Sequence, residues 1–205
     1  LWRSSGGGSK RANSTSALAF TGADIEAAVD AVEHRYRALG RPVRFQIDDL
    51  SCPTGLDRRL LQRGYVDVGF MGGAQIDKFG NINATVIGGY ENPKVRLPGS
   101  GGSQEIAAWA NRCYIMTPHQ KRRFPEKVEF MTSAGFIGGK GDREAAGLRG
   151  GGMVGVVTDI GMLEPDETGE MILTALHPGK TAEEAKANTG WDLKAASHLT
   201  VTEPI

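Results

Sequence analysis

From Asp24 onward, Ile25, Val29, Val32, Tyr36 and Leu39 recur every three or four positions until Gly40 and Pro42 stop the run. That spacing predicts an amphipathic helix. Phe45 and Ile47 then alternate with Arg44 and Gln46, which predicts a short strand over 43–47, and Cys52-Pro53-Thr54-Gly55 turns the chain into a second helix over 56–62. Past Gly64 the texture changes to short β-rich runs separated by glycines, with strands expected over 66–70, 84–87, 113–116, 128–131, 153–158 and 171–175. The run from Met153 is nearly all apolar, as in a strand covered on both faces. Helices fall between them, over 104–111 and from a capping box, Thr181-Ala182-Glu183-Glu184, to Gly190. Strands interleaved with helices predict an α/β fold. Several connections are too short for crossovers, so the expected sheet is open, mixed and largely parallel, with flanking helices.

Composition narrows the classes. The chain has 205 residues, enough for one mid-sized domain with its own core. Its 24 basic and 24 acidic residues cancel, so no net field draws it to nucleic acid or an anionic membrane surface. No run approaches the roughly 20 apolar residues of a membrane-spanning helix. Cys52 and Cys113 are the two cysteines. They offer neither a disulfide framework nor a metal knuckle, and a reducing cytoplasm is the expected setting. The first 16 residues, Gly/Ser-rich and without an apolar signal stretch, read as a flexible leader. The expected organisation is therefore this leader, a helix-strand-helix segment over 17–64, and a domain over 65–205.

Glycine is the outlier, at 29 residues, or about 14%, roughly twice the usual share of about 7%. Nineteen of them lie between Gly69 and Gly161, and paired glycines let main-chain amides approach a ligand with no Cβ in the way. Pro98-Gly99-Ser100-Gly101-Gly102-Ser103 leads into a predicted helix and suits an anion nest, although a glycine loop alone decides nothing. The stretch from Asp77 to Asn83 reads first as a hairpin turn. His119 with Lys121-Arg122-Arg123 offers phosphate-gripping donors, but such a run more often forms a solvated turn. His177, before Pro178, reads as structural, and Trp109 and Trp191 as core packing. Nucleophile elbows, phosphate loops and histidine sets with metal-ligand spacing are lacking, so no metal is expected.

Several stretches, in order, resemble the β subunit of family I CoA-transferases of the glutaconate and 3-oxoacid type. They are 66–77 (VDVGFMGGAQID), 79–83 (FGNIN), 93–102 (PKVRLPGSGG), 157–159 (VTD), 168–171 (TGEM), 173–179 (LTALHPG) and 189–191 (TGW). The resemblance spans residues 66 to about 199. It implies a subunit that pairs with an α subunit and moves coenzyme A from an acyl-CoA thioester to a free carboxylate. In that family a glutamate attacks the thioester, and main-chain amides stabilise the oxyanion. By place in the motif, Gly101 with Ser100 and Gly102 correspond to the oxyanion donors. Asn81, Asn83, Gly99 and Gln75 are implied to lie at the substrate.

The nucleophile departs from the family pattern. The family carries it in a Glu-Ser-Gly or Glu-Asn-Gly turn upstream of the segment matching Val66, and neither tripeptide occurs here. Glu167-Thr168-Gly169 reads as a hairpin turn, and Glu105 matches no nucleophile position. Residues 24–65 instead faintly resemble part of a GNAT-type N-acetyltransferase, through 36–47 (YRALGRPVRFQI) and Gly64-Tyr65, without that family's pyrophosphate loop. Three readings stay open: a transferase half-site, a hydrolase or ring-opening relative on the same scaffold, and a non-catalytic CoA-binding or scaffold subunit.

Overall fold

The computed structural model describes residues 15–16, 24–43, 45–46 and 55–203. The chain divides into two compact units, Leu1–Tyr65 and Val66–Ile205.

In the first unit, β1 (Thr15–Ser16) pairs in parallel with β2 (Phe45–Gln46). Helix α1 (Ile25–Ala38) starts where the Asp24 carboxylate accepts the Ala27 amide at 3.0 Å, satisfying an amide that has no partner inside the helix. Gly40, at φ +61°, ends it as expected. Val29 packs with Leu56 and Leu60 of α2 (Leu56–Gln62), and Ile25, Phe45 and Tyr65 lean on that cluster. Arg63 gathers three acids of α1, reaching Asp30 at 2.7 Å, Glu33 at 2.9 Å and Glu26 in a shorter contact. The turn expected at Cys52–Thr54 lies outside the described residues.

The second unit is built on a six-stranded sheet in the order β12-β11-β10-β9-β8-β3. Its strands are β3 (Val68–Met71), β8 (Arg112–Met116), β9 (Met153–Val157), β10 (Gly161–Pro165), β11 (Met171–Leu176) and β12 (Ala195–Val201). The pairs β3/β8, β8/β9 and β11/β12 are parallel, and β10 runs antiparallel to both its neighbours. The sheet is therefore mixed and largely parallel, as expected. The alternation of β11 buries Met171, Leu173 and Ala175. Beside them Met153, Val156, Ile115, Cys113 and Leu163 complete an apolar face, each large side chain worth about 1.5–3 kcal/mol when removed from water. The other face of β9 is only half covered, at Val154 and Val157.

Before β8 the chain forms two small antiparallel ladders, β4 (Gln75–Ile76) with β5 (Ile82–Asn83) and β6 (Val86–Gly88) with β7 (Pro93–Arg96). Helix α3 (Ser103–Trp109) follows, with Ile106 over Gly69 and Cys113. A 3₁₀ turn spans Lys121–Arg123, and α4 (Asp142–Ala145) and α5 (Ala182–Ala187) complete the unit. At α5 the Thr181 hydroxyl accepts the Glu184 amide at 3.1 Å, but the Glu184 carboxylate turns to Lys180 at 2.8 Å, so only half of the expected capping box forms.

One expected strand is absent. Residues 128–131 run as coil, because side chains replace the strand partners their amides would need. Val128 N–H donates to Asp77 Oδ2 at 3.4 Å and Glu129 N–H to Gln75 Oε1 at 3.2 Å.

Candidate active site

The sequence places glycines where β7 must turn into α3, and the backbone uses them. Leu97 N–H donates to the Thr85 carbonyl at 2.9 Å and Gly99 N–H to the Ala84 carbonyl at 2.8 Å, extending the β6/β7 ladder by two steps. Gly99 and Gly101 then take φ of +94° and +50°, in the left-handed region that favours glycine. Ser103 N–H closes back on the Ser100 carbonyl at 2.8 Å. The amides of Ser100, Gly101 and Gly102 meet no acceptor among the described residues, Gly101 and Gly102 are exposed, and a Cβ on either would touch nothing within 4 Å. Gly99 departs from its expected role: its amide is spent on the ladder, so it shapes the loop and has no donor left for a ligand.

The loop is anchored from below. Ser103 Oγ lies 2.9 Å from Ser133 Oγ, Ser133 is bridged to Ile82, and Ala84 N–H donates to Thr132 Oγ1 at 2.8 Å. Asn83 is buried with both amide hydrogens used, on Gln75 Oε1 at 2.8 Å and the Val86 carbonyl at 2.7 Å, while its oxygen accepts from Thr85 and Val86. Asn81 is equally saturated. Its Nδ2 donates to Asp77 Oδ2 at 3.1 Å and the Ile137 carbonyl at 2.8 Å, and its Oδ1 accepts from Gly135 at 2.8 Å and Ile137 at 3.1 Å. That grip holds Ile137 at φ +63°, a costly conformation for a β-branched residue. Gly135 sits so close that a Cβ would come within 2.3 Å of the Phe79 carbonyl oxygen. Burial pushes the Asp77 carboxyl above its ordinary range, against four N–H donors that pull it down.

Sequence patterns gave no sign of two further residues. Arg143 is buried, and its guanidinium fans onto four carbonyls, of Ala134, Gly135, Ala107 and Gly150, at 2.7–3.2 Å. Burial lowers its pKa. Glu129 accepts from Gln75 Nε2 at 2.7 Å and from the Gly88 amide, and this pair of donors holds its carboxyl below the usual range.

The structure separates the histidines from the arginines. The His119 ring stacks on Phe124 at 4.4 Å and lies between Thr158 Oγ1 and Thr189 Oγ1, at 3.3 and 2.9 Å, pushed down by burial to a pKa of about 4. It faces inward, away from a phosphate-gripping role. His177 Nε2 donates to the Thr158 carbonyl and Nδ1 lies 2.8 Å from Thr202 Oγ1, a structural placement. Trp191 is buried beside Phe124 and Trp109 half-buried under Arg149. Glu167-Thr168-Gly169 is the β10–β11 turn, with Asp166 Oδ1 accepting the Thr168 and Glu170 amides.

A cavity of about 540 Å³ is lined by Ala74, Gln75, Ile87, Val95, Leu97, Arg122, Arg123 and Glu129. A second, of about 740 Å³, opens over Asp77, Phe79, Phe130 and Ile137. Among the described residues no group of His, Cys, Asp and Glu is arranged to hold a metal, and no helix is long and apolar enough to cross a membrane.

The family model described as coenzyme A transferase matches residues 56–188. The B-type subunit of the 3-oxoadipate CoA-transferase of Pseudomonas knackmussii is 47% identical over 156 residues, covering 75% of this chain and 60% of that protein. The B-type subunit of the glutaconate CoA-transferase of Acidaminococcus fermentans is 46% identical over 139 residues, covering 67% of this chain and 52% of that one. The chain thus spans little more than half the length of the curated relatives it matches. The crystal structure of the latter enzyme superposes with a TM-score of 0.63 at 37% identity, covering 87% of this chain and 58% of its counterpart. Both the family match and the superposition reach upstream of Val66, into the segment that resembled an acetyltransferase.

Proposed function

The chain belongs to the coenzyme A transferase family, and from that premise we propose that it is the β-type subunit of an enzyme moving coenzyme A between an acyl-CoA thioester and a carboxylic acid. The observation that carries this reading is the row of three amides at Ser100, Gly101 and Gly102 that meet no acceptor among the described residues, on a loop otherwise tied at both ends. When a carboxylate attacks a thioester carbonyl, the oxygen becomes negative before the thiolate leaves. Donors already oriented and not committed elsewhere stabilise that charge with little reorganisation. Gly101 and Gly102 supply two of the amides and Ser100 the third. Asn81, Asn83 and Gln75 hold the wall behind them, their polar groups almost wholly used within the protein.

The loop faces outward, so a further wall is needed to exclude water from the reacting carbonyl. An α subunit supplies it, a reading supported by the relatives' names, each being one of the differently lettered subunits of its enzyme. The attacking glutamate has no motif in these 205 residues: it is absent from the chain or unrecognised in it. Acyl-CoA and a free carboxylate are the substrates, the location is cytoplasmic, and neither nucleic acid nor membrane is a partner.

The test is thioester exchange by the chain co-purified with an α-type subunit. Transfer of coenzyme A to an added acid is expected, and Gly101→Val should lower kcat by about 10²–10³. Release of free coenzyme A without an acceptor would indicate a hydrolase instead, and binding without turnover a scaffold subunit.

A further inference from the structure

The cavity over Asp77 sets an apolar wall on a floor whose polar groups are already committed. Phe79, Val128, Phe130, Met131 and Ile137 line it, around about 740 Å³, a volume within the roughly 300–1,000 Å³ of small-molecule sites. On the floor, Asp77 takes four N–H donors and Asn81 makes four side-chain bonds of its own. The Glu129 carboxylate is held by Gln75 and Gly88, and Lys78 Nζ is tied to Glu126 Oε1 at 3.2 Å. Lys127 is exposed, so its charge stays hydrated. A charged or strongly polar ligand would lose its water here against partners already spent, whereas an apolar one gains.

Ile137 is the residue the fold alone does not explain. Among the described residues it is the one non-glycine at positive φ, +63°, a conformation glycine takes freely and a β-branched residue only at a cost. Glycines stand at 135, 138 and 139, so the turn is otherwise built from the residue that suits it, yet position 137 carries a large aliphatic group. That side chain is half-buried and lines the cavity. Strain of this kind persists where the surroundings enforce it, and it clusters at ligand sites. Met131, on the same lining, is 41% exposed, a flexible thioether side chain that can adapt to what it covers.

We propose that this cavity is a binding site for an uncharged hydrocarbon group, and that Ile137 is held in its strained conformation to form the wall against which that group packs. The group arrives either as the apolar part of an acyl thioester or as a free molecule. The recognising chemistry is the same in both cases and does not depend on the transferase reading.

The test is a fluorescence titration of the full chain with N-phenylnaphthylamine, an uncharged probe that brightens in apolar surroundings. One saturable site is expected. Ile137→Gly keeps the turn and relieves its strain, so the urea midpoint should stay near that of the native chain while probe affinity falls about tenfold with the lost wall. Met131→Asp, at an exposed position, should weaken the probe to a similar degree. Phe70→Asp, at an aromatic of β3 that is 66% exposed, should leave it unchanged. Displacement of the probe by octanoyl-CoA but not by coenzyme A supports the site and assigns the group to an acyl thioester. Displacement by octanol alone supports it and assigns the group to a free molecule. Binding that does not saturate overturns the proposal, as does an affinity indifferent to both Ile137→Gly and Met131→Asp, or one lowered as much by Phe70→Asp. Thioester exchange by the complex is read separately: if exchange fails while the probe binds as expected, the transferase reading falls and this site stands.

Discussion

The amide loop at 99–103 and the asparagine lattice beneath it, residues 75–83 with 129–137, are adjacent in space and opposite in physical character. In the lattice every side-chain amide hydrogen of Asn81 and Asn83 is committed, and both residues are buried. In the loop three consecutive main-chain donors are committed to nothing among the described residues. A polar residue buried with its bonds complete stabilises, because each of those groups would cost about 1–3 kcal/mol if left unpaired. Donors left open at the surface cost little in the free protein and are available when charge develops beside them. The difference separates residues that build a site from groups that act in it, a distinction residue type alone does not make.

The sharpest way to break the contrast is to alter the loop and leave the lattice intact. Gly101→Val should reduce exchange by about 10²–10³ while the loop's φ of +50° makes the cost in stability only about 1–2 kcal/mol. Urea denaturation beside the kinetic assay reads both. Asn81→Ala should do the reverse. It orphans the Ile137 carbonyl and the Gly135 amide and should cost about 3 kcal/mol in the same unfolding experiment.

One acid-sensitive group lies outside both regions. His119, near pKa 4 when folded against an ordinary 6.5, binds its proton more weakly in the native state. Its contribution is complete above about pH 6.5 and is lost as pH falls toward 4, by up to about 3 kcal/mol. The difference between unfolding curves of the native chain and His119→Gln across that window isolates it from Asp77, whose raised pKa acts in the opposite direction. The smallest expected effect is at the seam. Ser103→Ala removes one hydroxyl contact to Ser133 and should cost about 1 kcal/mol, with a modest rise in the hydrogen-exchange rate of the loop amides.

The legible parts of the sequence were those where period and burial coincide. Strand β11 shows its alternation openly, and α1 shows its stripe, cap and glycine stop. Strand β10 was hidden because Gly161 and Pro165 at its ends look like turn punctuation, and β12 because it is an edge strand with mostly exposed side chains. Residues 128–131 looked like a strand from their apolar content, but nothing in that content indicates that Asp77 and Gln75 would take the ladder partners' place. At the site the glycine motif was readable and its internal division was not. Whether Gly99 or Gly101 keeps a free amide depends on where the β6/β7 ladder ends, which is set by Ala84, 15 positions earlier in the chain.

Arg143 ties these parts together from inside. One guanidinium joins α3, the 134–135 turn that clasps Asn81, and the glycine stretch before β9, so three stretches distant in sequence turn on a single hub. A planar fork can reach four carbonyls in different directions, whereas a lysine ammonium offers three donors from one point. The rigidity of an outward-facing loop therefore depends on a side chain no substrate touches, and a change of cation there would be felt at the surface as slackness and not as lost chemistry.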